Sequence, residues 1–92
     1  MQYRLLYSAS ARNQIRELHP ELKAIIRKRL KELAKNPYLG KQLEKELADY
    51  FSLRARRFRI VYRVKESPKT IEIHHVGHRK DIYELIKEQS IK

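Results

Sequence analysis

The stretch "SLRARRFRIVYRV", residues 52–64, alternates like a β-strand and carries five arginines in the ten positions from Arg54 to Arg63. From Phe58 onward the period is two. Phe58, Ile60, Tyr62 and Val64 fall on one face, and Arg59, Val61 and Arg63 on the other. No acidic residue lies between Asp49 and Glu66 to neutralise the arginines. The pattern predicts a two-sided strand: the apolar face packs on a core and the opposite, cationic face stays open.

Outward from this strand, "KESPK" (65–69) is a turn by composition and "TIEIHHVG" (70–77) a further strand, so the two form an antiparallel hairpin. A strand also precedes it, from Tyr50. Near the N-terminus "QYRLLY" (2–7) is a short strand. Ser8 or Ser10 then caps a helix bearing Ile15 and Leu18, which ends near His19 because the residue before a proline avoids helical geometry. Pro20 suits the first turn of a second helix. Leu22, Ile25, Ile26, Leu30 and Leu33 recur there at helical spacing, Lys23, Arg27, Lys28, Lys31 and Lys35 occupy its other faces, and "NP" (36–37) stops it. Residues 38–49 read as an irregular connection or a short helical turn. After Gly77, Ile82, Leu85 and Ile86 predict a short C-terminal helix. The fold class is α+β: an N-terminal strand, a helical hairpin, then antiparallel sheet strands and a tail helix, with the helices on one face of the sheet.

The chain has 92 residues, which suits one domain spanning 1–92 with no repeats and no low-complexity linker. It has no cysteine, so neither a disulfide nor a thiolate metal site supports it. No apolar run approaches the ~20 residues that span a bilayer, and the N-terminal apolar stretch is too short for a signal-peptide core. A cytoplasmic protein is expected, with no membrane partner. Lysine and arginine number 22 against 11 acidic residues, a net charge of +11. So large a charge on so small a body favours polyanionic partners.

The residues now assemble into a familiar pattern. Leu53, Arg54, Phe58, Arg59, Ile60, Val61 and Tyr62, then His78, Arg79 and Tyr83 in "HHVGHRKDIYE", resemble the C-terminal half of the RelE/ParE toxin superfamily, the toxins of type II toxin–antitoxin modules. The N-terminal strand, the basic helical hairpin closed by "NP" and the "KQLEKEL" connection are similar too. The resemblance implies a RelE-like fold. For the RelE-like branch it implies cleavage of messenger RNA in the ribosomal 30S A site; for the ParE-like branch, poisoning of DNA gyrase by binding. It also implies a cognate antitoxin, expected to be acidic to match the charge of the chain.

RNA is cut without a metal when its 2′-OH attacks the adjacent phosphate, which calls for a proton acceptor, a proton donor and cations around the phosphorane. By its place in the motif, Arg59 would contact the scissile phosphate with its planar fork, and Arg79 would be a second clamp. Tyr83 matches the C-terminal tyrosine that stacks on a base or assists proton transfer. Arg54, Arg56, Arg57, Arg63 and Lys80 are expected to grip RNA phosphates. Tyr50 and Ser52 stand where some RelE-type members have lysines, so a histidine, His75 or His78, is expected to take over acid or base work. Within a regular strand His74 and His75 point to opposite faces, so one of them at most reaches the arginine face. "HHxxH" is not read as a metal site, and neither a metal nor a small-molecule cofactor is expected.

Overall fold

The computed structural model of the chain describes residues 2–78. β1 (Arg4–Tyr7) leads into α1 (Ala9–Arg16), which starts where the Ser8 hydroxyl accepts the Ala11 N–H at 3.0 Å. Pro20 opens α2 (Pro20–Lys35), and His19 caps it by accepting the Glu21 N–H through Nδ1. Both helix starts therefore fall where the sequence places them. Residues 38–49 contain a two-residue strand, β2 (Lys41–Gln42), and a single 3₁₀ turn over Lys45–Leu47. β3 (Phe51–Ala55), β4 (Phe58–Glu66) and β5 (Lys69–His78) follow. The expected C-terminal helix lies outside the described residues.

The five strands form one sheet in the order β1-β5-β4-β3-β2. It is mixed rather than antiparallel throughout, because β1 runs parallel to β5, with Leu5 opposite Ile71 and Tyr7 opposite Ile73. The helical hairpin between β1 and the later strands acts as the long crossover that a parallel neighbour requires. Both helices pack on one sheet face. There Ala11, Ile26, Leu30 and Leu33 meet Leu53, Ala55, Ile60, Tyr62, Ile71, Ile73 and Val76, all buried. Each large aliphatic side chain in this layer contributes about 1.5–3 kcal/mol by leaving water.

Tyr62 lies wholly inside this core, as expected of it. Its hydroxyl accepts the Gly40 N–H at 2.9 Å, and burial pushes its pKa up to about 12. Gly40 is dictated by this contact, since a Cβ there would lie 2.6 Å from the Tyr62 hydroxyl and 2.8 Å from the Ser52 carbonyl oxygen.

The opposite sheet face is less open than the alternation implies. Val61 is fully buried beneath Leu47, with Leu43 and Tyr50 packed alongside. The segment after α2 thus folds over the middle of the cationic face, while Arg54, Arg56 and Arg57 at the β3–β4 turn are exposed.

Candidate functional site

The site begins with an irregularity in β5. Val61 pairs with His75, yet the next residue, Tyr62, pairs with Ile73, so His74 is an extra residue in the ladder. A bulge of this kind puts two neighbouring side chains on the same side of a sheet. Ile71 and Ile73 before it, and Val76 after it, all face the helices. His74 and His75 therefore both face the arginine side, which corrects the expectation that they diverge. His74 lies edge-on to Tyr50 (5.4 Å between ring centres) and 3.2 Å from Glu72, while the Arg63 guanidinium sits 5.6 Å above the same Tyr50 ring.

The helices hold the bulge in place. Beyond Tyr7, β1 no longer pairs with β5, and α1 supplies the missing partners. The Ser8 N–H donates to the Ile73 carbonyl and its hydroxyl to the His74 carbonyl, both at 3.0 Å. Gln14 Oε1 accepts the Val76 N–H at 2.7 Å, and Gln14 Nε2 lies 2.8 Å from His75 Nδ1. The Ile73 and His74 carbonyls and the Val76 N–H thereby find partners that a regular ladder would otherwise provide.

Arg59 stands opposite Gly77 on β5 and opposite Arg54 on β3. Like charges placed directly across a ladder repel. Among the described residues, the ion pairs are Arg29–Glu32, Lys65–Glu72 and His74–Glu72, so no carboxylate there offsets Arg54, Arg56, Arg57, Arg59 or Arg63. Glu72 lies on this face, in contact with Lys65 and His74. Burial opposes its ionisation, but hydrogen bonds with Lys65 and His74 outweigh that effect and hold its pKa below the usual carboxylate range. Gly77 leaves a gap beside Arg59, and the His75 ring leans into it: a Cβ on Gly77 would lie 2.8 Å from His75 Nε2.

A second basic region lies at the β3–β4 turn, where Arg54, Arg56, Arg57, Phe58, His78 and Leu22 line a cleft. The Phe58 and His78 rings pack at 4.7 Å, which puts His78 with the helix-side residues and away from His75. The turn closes without glycine because Arg56 adopts φ 58°, a left-handed conformation that costs a side-chain-bearing residue about 1–2 kcal/mol. Arg54 Nε donates to the Arg56 carbonyl at 3.3 Å and draws that side chain toward the turn.

The expected site residues thus divide. Arg54, Arg59, Arg63 and His75 share one face, with Arg56, Arg57 and His78 at the turn. Arg79, Lys80 and Tyr83 lie outside the described residues. Tyr50 and Ser52 do not reproduce lysines: Tyr50 stacks under Arg63, and the buried Ser52 hydroxyl has no hydrogen-bond partner. Sequence reasoning missed Gln14 and Gly77. A glycine inside a strand pattern is a signal of close approach; Gln14 carries none, being one polar residue on an amphipathic helix.

Comparison with known proteins agrees with this architecture. The family model described as ParE toxin of type II toxin-antitoxin system, parDE, matches residues 5–83. Toxin RelG of Mycobacterium tuberculosis is 35% identical over 85 residues, covering 90% of this chain and 98% of RelG. A chain in the RelBE2 toxin–antitoxin complex of the same organism matches with a TM-score of 0.79 and 31% identity, covering 86% of this chain and all (100%) of that one. A mutant of E. coli RelE in the free state shares the fold at 22% identity, with a TM-score of 0.74 over 88% of this chain and 87% of RelE. With its family model, its relatives and its fold in accord, the chain belongs to the RelE/ParE superfamily and is a toxin of a type II toxin–antitoxin system.

Proposed function

We propose that this toxin is a ribosome-dependent endonuclease that cleaves messenger RNA in the A site without a metal or other cofactor. The observation that carries the reading is the cross-strand pair Arg54 and Arg59, which have no carboxylate partner among the described residues, on the face that also bears His75 and Gly77. Their repulsion is relieved when an anion settles between them, and an RNA phosphate supplies one. In the reaction the 2′-oxygen bonds to phosphorus as the bond to the 5′-oxygen breaks, and the 2′ proton is lost as the 5′-oxygen gains one. Arg59 would hold the non-bridging oxygens, where charge develops. Arg79 and Tyr83 join it by resemblance, as second clamp and base-stacking or proton-transfer group. Arg56, Arg57, Arg63 and Lys80 would grip flanking phosphates, and His78 stands beside the turn cleft.

The test is a cytoplasmic translation extract with a defined message. Codon-specific cleavage should survive chelation and vanish when Arg59→Ala is combined with Arg79→Ala. No cleavage of any translated message rejects the reading.

The partner proposed is an acidic antitoxin whose charge complements the +11 of the chain; the similar M. tuberculosis structure is itself a toxin–antitoxin complex. A second reading has its own support, since the matching family model is described as a ParE toxin. On that reading the protein binds and inhibits DNA gyrase. A supercoiling assay separates the two: inhibition at stoichiometric toxin favours the ParE-like reading.

A further inference from the structure

Neither histidine expected to move protons is placed for it: His75 is only 5% exposed with its Nδ1 against Gln14, and His78 packs on Phe58 at the turn. Their neighbour His74, the extra residue of the β5 bulge, is placed differently. Its side chain keeps 22% exposure on the arginine face. Its Nε2 lies 3.2 Å from one carboxylate oxygen of Glu72, while Lys65 Nζ lies 3.2 Å from the other. A carboxylate paired with an ammonium only accepts hydrogen bonds, so the Nε2 of His74 is the N–H and donates. Nδ1 of the neutral ring is then the bare, basic nitrogen, and it has no hydrogen-bond partner among the described residues. Tyr50, edge-on at 5.4 Å between ring centres, holds the plane of the imidazole. Along β4, His74 lies beside the step between Val61 and Tyr62, with Arg59 on one side and Arg63 on the other. At the usual rise of a strand, these two arginines start about 5–8 Å from that step. A phosphate held by either places its ribose beside His74.

We propose that His74 is the general base of the cleavage reaction, with Glu72 as the positioning residue that fixes its tautomer and balances the charge of its protonated ring. Nδ1 takes the proton of the 2′-OH as the 2′-oxygen bonds to phosphorus. The bond to the 5′-oxygen breaks, that oxygen gains a proton from water, and His74 returns its own to water. A base oriented by a carboxylate behind it is a recurring solution for activating a hydroxyl. The 2′-OH as proton source rests on the nuclease reading above; the Glu72–His74 pair and its tautomer do not.

Two measurements test it. NMR of isotope-labelled histidine nitrogens in the full chain, in mildly alkaline buffer, should find His74 protonated on Nε2 and bare on Nδ1, with the Nε2 proton shielded from exchange with water. Glu72→Ala should abolish that shielding. A wild-type ring protonated on Nδ1, or a folded Glu72→Ala protein with an unchanged signal, overturns the pairing. In the extract assay, His74→Gln still donates to Glu72 but takes up no proton, so it should lose about a hundredfold or more in cleavage rate, as His74→Ala does. Both variants should bind labelled RNA as the wild type does. A His74→Gln protein within about tenfold of wild type, or a loss matched by an equal loss of RNA binding, overturns the base role. A wild-type protein that cleaves nothing sinks the nuclease reading and the base role with it, while the NMR result still decides the pairing of Glu72 with His74.

Discussion

Gly77→Ala probes the site geometry through stability. The added Cβ would lie 2.8 Å from His75 Nε2, against the 3.4 Å at which ordinary contact begins, so the ring must retreat by about 0.6 Å. Retreat is resisted because Gln14 holds Nδ1 at 2.8 Å from the other side. Breaking that hydrogen bond costs about 1 kcal/mol, and forcing the ring off its rotamer about 0.5–1.5 kcal/mol more. Alanine recovers about 0.4–1 kcal/mol by restricting the unfolded chain, and the backbone does not object, since neither glycine has a positive φ. The net loss is about 1–2 kcal/mol, or roughly 5–15 °C in Tm for a domain of this size. The assay is urea denaturation of a double-mutant cycle with His75→Ala. With the ring gone, Gly77→Ala becomes neutral or stabilising, leaving a coupling of about 1–3 kcal/mol. Additive effects, or an alanine at position 77 that stabilises the wild-type background, would refute the placement of His75 over Gly77.

Other expectations follow from neighbouring features. Arg56→Asn should stabilise the protein by about 0.5–1 kcal/mol, because asparagine tolerates the left-handed turn conformation that Arg56 adopts; thermal denaturation checks it. Arg59→Ala should weaken RNA binding for every sequence and lower the slope of log affinity against log salt by about 1, as read by a salt titration with labelled RNA. Leu33→Ala empties a fully buried position under the sheet and should cost about 2–5 kcal/mol in denaturation. Glu66 accepts hydrogen bonds from the Tyr3 and Tyr38 hydroxyls, chiefly Tyr3, which hold its carboxyl below the usual range. Its stabilising effect is therefore present above the unfolded carboxylate value of about 4.3 and fades as pH falls through the lower folded value. Glu66→Gln should flatten the stability profile in that acid window; a profile identical to wild type would contradict the contact.

Much of the fold was legible because it is periodic. The period of two in Phe58–Val64 and of 3.6 in Leu22–Leu33 each follow from burying one face, and Ser8 and Pro20 mark helix starts through local hydrogen-bonding and φ constraints that no distant residue alters. The separation of Arg59 and Arg63 from Ile60 and Tyr62, and the resemblance that named the superfamily, were likewise present in the chain itself.

What the tertiary structure alone decided comes from long-range pairing. The parallel placement of β1 beside β5 and above all the bulge at His74 depend on residues some sixty positions apart, such as Ser8 with His74 and Gln14 with His75, and Val61 is buried by Leu47 from a separate segment of the chain. "EIHHVGH" alternates equally well with or without an extra residue, so the stretch itself does not say on which face its histidines lie. A one-residue slip reverses every subsequent side chain while leaving local preferences unchanged. Only the packing of α1 against the edge of β5, where Ser8 and Gln14 satisfy the interrupted ladder, selects the register that turns both histidines toward the arginines.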